Sequence, residues 1–338
     1  MNEDIVGFDA LYESMRKCIL GVRWKDSVAS YHLNAIENTI KLERELKFGR
    51  YKPRKTKEFT IYHPKERHIM SVAFRDRVYQ RSLNDNSVYP QMVKSFIPDN
   101  YACQRGKGPD YCRERLKRFL RKHYRQCGSI GWVLQVDVHG YYPNMKHSVA
   151  EQTFHRKLDP ETYARVVDIL RGQYPGDIGY NPGSQLVQIA GVAVLDRLDH
   201  FIKETLRVKL YMRYMDDFIL IHRDRRFLEQ CKEEILSVMS EMHMEPNPKK
   251  TRIFKLKEGI SFLGFKYHLS DTGKVYMLIR PDNVSSNRRK FRRMVGLCKK
   301  GIIPREYVDR SYECWKNHAS KGNTFKVIQR MDEFYRSL

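Results

Sequence analysis

The sequence predicts a mixed α/β (α+β) chain in which a centre of apolar strands is flanked by helical segments. Three observations predict it. Short apolar runs such as Trp132-Val133-Leu134-Gln135-Val136 and Phe218-Ile219-Leu220-Ile221 have the length and composition of buried strands. Longer stretches, residues 28–48 among them, place apolar residues at helical spacing. Apolar residues make up 41% of the 338 and aromatics 12%, enough for a core and too many for a disordered chain.

Taken in order, residues 8–50 read as helical, with Gly49 as a stop. Residues 56–63 read as a strand, Pro64 and the charges after it as a turn, and residues 67–73 as the returning strand of a hairpin. A helix from about Phe74 to Val88 follows. Gly106, Gly108 and Pro109 mark a loop, and the rest of 104–126 reads as a helix; the segment holds nine Lys/Arg against two acids. That run is either a solvated helix face or a surface that tracks phosphates. Trp132–Asp137 is a buried strand ending in a carboxylate, followed by a helix from about Lys146 to Leu158. A long, largely apolar helix is expected over 183–206. Strands at 210–213 and 218–222 enclose Tyr214-Met215-Asp216-Asp217. A helix over 226–243, a turn at Pro246-Asn247-Pro248, and strands within 260–269 and 274–279 complete the centre. Residues 281–338 are helical and basic, with 14 Lys/Arg against six acids. There is no internal repeat.

The length corresponds to about two or three structural units. Lys and Arg number 63 against 40 Asp and Glu, a formal charge of +23 and a pI near 9.7. Such an excess favours a polyanionic partner, usually nucleic acid, whose condensed counterions Lys and Arg displace. A basic protein with no such partner is the plain alternative. No apolar run approaches the ~18 residues that span a bilayer, so no membrane role is expected. The early acids at the N-terminus lead us to expect no secretory signal. Seven cysteines, an odd number with no Cys-x-x-Cys pair, argue against a disulfide framework or a zinc site and fit a reducing cytoplasm.

The adjacent acids Asp216 and Asp217 carry the most chemistry. Neighbouring carboxylates flanked by strands as apolar as 218–221 are costly unless a cation offsets them. Asp137 ends another apolar strand and supplies a third carboxylate. Hard oxygen ligands suit Mg²⁺, bound through a few carboxylates and substrate phosphates. Two such ions about 3.5–4 Å apart activate an attacking hydroxyl and stabilise a departing pyrophosphate.

Tyr214-Met215-Asp216-Asp217 between apolar strands resembles the YxDD motif of reverse transcriptases. Asp137-Val138-His139-Gly140-Tyr141-Tyr142 resembles the family's first metal-binding motif. The resemblance implies Asp137, the Val138 carbonyl, Asp216 and Asp217 as the metal set, and Tyr142 as a steric gate against a ribose 2′-hydroxyl. Arg67-His68-Ile69 and Arg75-Asp76-Arg77-Val78 resemble the fingers motifs, which makes Arg67 a triphosphate-binding residue assisted by Lys65. Asn247-Pro248-Lys249-Lys250-Thr251 resembles the motif whose lysine lies near the incoming nucleotide. Lys250 is the assignment and Lys249 its rival; such a lysine can protonate the leaving pyrophosphate. Phe262-Leu263-Gly264-Phe265 resembles the turn that grips the primer end.

The resemblance covers about residues 56–270. It extends to the tail, where Ser311-Tyr312, Trp315, His318 and Gly322-Asn323-Thr324 resemble the thumb of group II intron-like and diversity-generating retroelement enzymes. The usual Gln-Gly beneath the new base pair is Pro182-Gly183 here. Gln188 aligns with the retroelement enzymes' Gln, and Val187 stands in place of their Ser. Gly183 and Gln188 are thus implied in substrate binding, and reduced fidelity is expected.

The implied fold is a right-hand polymerase: an N-terminal helical extension (1–49), fingers (50–130), a palm of antiparallel sheet plus helices (131–270) and a basic helical thumb (271–338). The implied activity is RNA-directed DNA synthesis with two Mg²⁺ ions, Mn²⁺ being the substitute. The implied partners are a structured template RNA, a DNA or RNA primer, dNTPs and a small, basic, helical accessory protein, in the cytoplasm and of bacterial or phage origin. No room is expected for an RNase H or endonuclease domain. The alternatives are a defence-associated bacterial enzyme acting with a non-coding RNA and, below it, a non-catalytic RNA-binding scaffold.

Overall fold

The computed structural model describes residues 2–62 and 66–338. Helices α1 (Glu3–Val6), α2 (Phe8–Cys18), α3 (Asp26–Leu33) and α4 (Ala35–Lys47) precede an antiparallel hairpin of β1 (Lys57–Ile61) and β2 (Arg67–Ser71). Then come α5 (Phe74–Leu83), a π-helical turn at Asn84–Val88, α6 (Tyr89–Met92) and the basic α7 (Pro109–Cys127). Strand β3 (Trp132–Asp137) leads to α8 (His147–Lys157), α9 (Pro160–Gln173), α10 (Gln185–Val194), α11 (Asp196–His200) and a second π-helical turn at Phe201–Thr205. The strands β4 (Tyr211–Tyr214) and β5 (Asp217–His222) are followed by α12 (Arg225–Glu241), β6 (Arg252–Lys255), β7 (Ile260–Phe262), β8 (Phe265–Leu269) and β9 (Val275–Ile279). Helices α13 (Pro281–Lys299), α14 (Arg305–Ala319) and α15 (Phe325–Arg336) end the chain.

Three sheets result: β1-β2, a four-stranded sheet in the order β4-β5-β3-β6, and an antiparallel β7-β8-β9 meander. β3 pairs antiparallel with β6, Trp132 opposite Lys255 and Gln135 opposite Arg252. The apolar run of β5 is buried from Phe218 to Ile221, as expected of a strand covered on both faces. The fold is therefore mixed α/β with antiparallel sheets, as the patterning predicts. Among the described residues no helix is long and apolar enough to cross a membrane, and all seven cysteines are free thiols.

The chain packs as two compact units. The first comprises Met1–Gly108, Val136–Phe218 and Cys231–Thr251; the second comprises Pro109–Gln135, Ile219–Gln230 and Arg252–Leu338. In the second, Phe291, Tyr312, Trp315 and Tyr335 form an aromatic core, with the rings of Tyr312 and Tyr335 stacked at 4.0 Å. Asn323 docks on β9: its amide donates to the Met277 carbonyl at 2.7 Å, and its side chain accepts from the Met277 amide at 2.9 Å. A Cβ at Gly322 would lie 2.5 Å from that carbonyl, so only glycine fits there. The tail residues singled out in the sequence thus hold α14 and α15 against the meander.

Besides the short β6, which the sequence analysis does not foresee, three elements differ from the sequence expectation. The helix expected over 183–206 breaks at Leu195, where two acids interrupt the apolar run. Asp196 accepts from Lys157 at 2.6 Å and Asp199 turns to Arg213. The helix begun at Phe74 passes into the first π-helical turn before reaching Val88. Helix α9 was not anticipated, although Asp159 caps it through the Thr162 amide and Pro160 occupies its first turn.

One buried pair in the first unit sets the turn between β4 and β5. Arg213 and Asp199 are both fully buried. The Arg213 Nε donates to Asp199 at 2.7 Å, and a second nitrogen reaches both Asp199 and the Val192 carbonyl. Nη1 donates to the Met215 carbonyl at 2.8 Å. The Tyr211 hydroxyl also donates to Asp199. Met215 sits at φ +56°, a conformation disfavoured for a residue with a side chain. The guanidinium grips the carbonyl of the residue that must strain to make the turn. Replacing Arg213 with Met strands a buried carboxylate and is expected to cost about 3–5 kcal/mol in urea unfolding. Arg197→Ala, which loses only an exposed pair with Glu241, is expected to cost less than about 1 kcal/mol.

Candidate active site

Asp137 ends β3 and is 6% exposed. Its Oδ1 accepts from the Lys250 Nζ at 2.6 Å and its Oδ2 from the Asn247 side-chain amide at 3.0 Å. The segment carrying those partners runs alongside it. Val138 forms an antiparallel bridge with Pro246, the His139 amide donates to the Glu245 carbonyl, and the Asn247 amide donates to the Asp137 carbonyl at 2.7 Å. The Pro246-Asn247-Pro248 turn therefore positions Lys250 by main-chain pairing.

Asp216 and Asp217 follow the strained Met215. Burial raises the Asp216 carboxyl above the usual carboxylate range, and the charge of Asp137 raises it further; Lys250 and Arg213 act the other way. Burial alone would lower the Lys250 ammonium. The hydrogen bond and charge of Asp137, with the charges of Asp217 and Asp216, instead hold it above the ordinary lysine value. All three carboxylates thus act on one ammonium. Lys250 is the lysine whose Nζ meets Asp137, whereas Lys249 meets Asn247 through its backbone amide.

Tyr141 and Tyr142 lie against α10. The Tyr141 hydroxyl donates to the Gly191 carbonyl. The Tyr142 hydroxyl is buried without a hydrogen-bond partner, and a Cβ at Gly191 would lie 2.6 Å from it. The charge of Asp216 reaches the Tyr142 phenol, whose pKa burial raises first. Gly183 packs on β2, where a Cβ would meet the Met70 carbonyl at 2.7 Å, and Asn181 donates to the His68 carbonyl nearby. The Gln188 amide turns back to the Pro182 carbonyl at 3.0 Å. Arg67 is exposed and its backbone pairs with Ile61 in the hairpin. Lys65 lies outside the described residues.

The expected primer grip belongs to the second unit. Phe262 is buried and pairs with Phe265, while Leu263 and Gly264 form the turn at φ +46° and +86°. Arg113 donates to the Leu263 carbonyl at 3.3 and 3.2 Å and to Asp110, which also takes Lys321. The His318 ring lies where a Cβ at Gly264 would come within 3.1 Å.

Among the described residues no three His, Cys, Asp or Glu side chains form a group that could hold a metal ion by themselves. Carboxylate oxygens are nevertheless the donor type that a hard divalent cation takes alongside substrate phosphates. Here Asp216 is destabilised in its charged form, and the Lys250 ammonium stands as the counter-charge.

Sequence reasoning missed Arg213, Asp199, Gly191 and the role of Asn247. Each carries a faint signal: a cation inside an apolar strand, an acid inside an apolar helix, a glycine mid-helix, and an asparagine between two prolines.

The family model described as reverse transcriptase (RNA-dependent DNA polymerase) matches residues 54–267, more than half of the chain. Among solved structures, telomerase from Candida albicans in complex with the TWJ fragment of telomeric RNA is similar over 70% of this chain and 46% of that one, at 14% identity and a TM-score of 0.50. Apo telomerase from Candida tropicalis, truncated from its C-terminal domain, matches over 72% of this chain and 60% of that one, at 12% identity and a TM-score of 0.49. The chain spans about half the length of the solved structures it matches. No curated protein sequence matches it. The family model spans more than half of the chain, and the chain belongs to the reverse transcriptase (RNA-dependent DNA polymerase) family.

Proposed function

We propose that the chain is an RNA-directed DNA polymerase that transfers a nucleotide from a dNTP to a primer 3′-hydroxyl on an RNA template. The observation that carries this reading is the Lys250 ammonium held at 2.6 Å by Asp137, with the charges of Asp216 and Asp217 acting on the same ammonium. In this reading Asp137, the Val138 carbonyl, Asp216 and Asp217 hold Mg²⁺, which when bound supplies activation of the attacking hydroxyl and charge stabilisation at the leaving phosphates. The chain's own residues do the rest. Lys250, kept charged by the acids around it, donates a proton to the departing pyrophosphate. Arg67, with Lys65, orients the triphosphate. Tyr142, recessed against Gly191, limits the space beside the sugar. Phe262, Leu263 and Gly264 hold the primer end.

The family membership favours a catalyst over the non-catalytic scaffold, which would keep the charge and aromatics but not the full carboxylate set. Replacing Asp216 with Asn removes several kcal/mol of transition-state stabilisation. Primer extension is expected to fall about a thousandfold or more, with RNA binding within about twofold of the parent. EDTA is expected to stop extension and Mg²⁺ to restore it, with Mn²⁺ as the substitute. Undiminished extension by Asp216→Asn, or in EDTA, contradicts the assignment.

We further propose a diversity-generating retroelement enzyme working with a structured template RNA and a small, basic, helical accessory protein. The support is Pro182-Gly183 in place of Gln-Gly, with the Gln188 amide occupied by the Pro182 carbonyl. The Gln188 side-chain nitrogen is then engaged within its own segment and not free for the new base pair. The expected result is raised misincorporation opposite at least one template base in a single-nucleotide extension assay. Ordinary accuracy opposite all four bases removes this proposal and favours a defence-associated enzyme acting with a non-coding RNA.

A further inference from the structure

The hairpin of β7 and β8, in the second unit, turns on two residues. Its pairing ends at Phe262 and Phe265, and Leu263 and Gly264 between them both have positive φ, +46° and +86°. That is the geometry of the tightest hairpin turns, for which asparagine and glycine are the usual residues. Leucine in the first place is strained, and its carbonyl lies outside the strand pairing. The turn is held from elsewhere in the unit. The Arg113 Nε and Nη2 donate to the Leu263 carbonyl at 3.3 and 3.2 Å. The guanidinium also lies over the Phe265 ring, 5.2 Å from its centroid. The His318 ring packs on the same Phe265 at 4.8 Å between centroids and stands beside Gly264.

Arg113 does not act alone. Its third nitrogen, Nη1, donates to Asp110 one turn back on α7, so all three guanidinium nitrogens are engaged. Asp110 takes Lys321 on its other oxygen at 2.6 Å. Lys321, and after it Arg113, hold the Asp110 carboxyl below the usual carboxylate range. Lys321 lies in the connection between α14 and α15, which Asn323 fastens to Met277 of β9. A row of contacts thus runs from that connection through Asp110 and Arg113 to a carbonyl at the tip of the turn. Its charges add little to the stability of the fold, because Asp110 is 66% exposed. What the row supplies is direction: the planar fork of an arginine fixes the carbonyl in orientation as well as distance.

We propose that Arg113 is a positioning residue for the primer 3′ end, acting through the Leu263 carbonyl, and that Lys321 steadies it through Asp110. The proposal rests on the reading of Phe262, Leu263 and Gly264 as the turn that holds the primer. A turn displaced by about 1 Å misplaces the attacking hydroxyl while the primer stays bound, so the rate falls and the affinity does not.

The test is single-turnover extension of a DNA primer annealed to an RNA template, by the full chain with Mg²⁺ and saturating duplex and dNTP. The proteins compared are the parent, R113K, K321Q, K321R and R113K/K321Q. Lysine at 113 keeps the charge but cannot fork onto the Leu263 carbonyl. R113K is expected to extend the primer about tenfold or more slowly, with duplex affinity and dNTP KM within about twofold of the parent. K321Q is expected to lose about threefold in rate, and K321R to match the parent. The double variant is expected to match R113K, because both residues act on one carbonyl. Losses that multiply in the double variant overturn the link to Lys321. An R113K rate within about twofold of the parent overturns the positioning role, and so does a loss that lies wholly in duplex affinity. Where urea unfolding shows that R113K does not fold, K321Q decides alone, and an unchanged rate overturns the proposal. A parent that extends no primer overturns the catalytic reading itself, whereas an active parent with unchanged variants overturns this proposal only.

Discussion

The turn that presents Asp216 and Asp217 depends on the buried ion pair of Arg213 with Asp199. A guanidinium without solvent must have its donors met, and here a carboxylate and two main-chain carbonyls meet them. That requirement makes the pair a template. The arrangement of the β4-β5 turn that brings the Met215 carbonyl to Nη1 puts Met215 in the left-handed region. A backbone strain of order 1–3 kcal/mol persists because the surroundings over-determine it. The second unit uses the same device. Leu263, also left-handed, has its carbonyl held by Arg113. The planar fork of arginine suits this task, since several donors leave it in fixed directions.

Charge is distributed in two opposed ways. The chain as a whole is strongly basic, yet its candidate centre gathers acids in a poorly solvated place. Asp216 registers the cost through its raised carboxyl pKa, and Lys250 registers the compensation through its own raised value. The Asn247 amide and the Lys250 ammonium together occupy both oxygens of Asp137. The centre is therefore balanced by a side chain that the reaction itself can use. Gly191 adds a steric counterpart: its missing Cβ is the space into which the Tyr142 ring recedes.

Much of the fold was legible because the signals are local. Alternation and apolar runs mark β1, β2, β3, β5 and β8, and glycine and proline mark the loops between them. The short β6 and the capped α9 escaped, the first because four residues carry little pattern, the second because its apolar face is interleaved with polar residues. The breaks at Leu195 and after Leu83 escaped for another reason. They answer to partners far along the chain, such as Lys157 for Asp196, and no window of neighbouring residues contains those partners.

The candidate site divides along the same line. Sequence alone determined which residue types stand at 137, 142, 216, 217 and 250, and that the acids sit at the ends of apolar strands, because chemistry and periodicity are written residue by residue. Only the tertiary structure decided that Lys250 rather than Lys249 faces Asp137, that Gly183 is pressed against β2, and that Arg213 holds the turn. Those outcomes follow from packing and hydrogen-bond satisfaction in a dry interior, where each donor must find its acceptor among residues that only folding brings near.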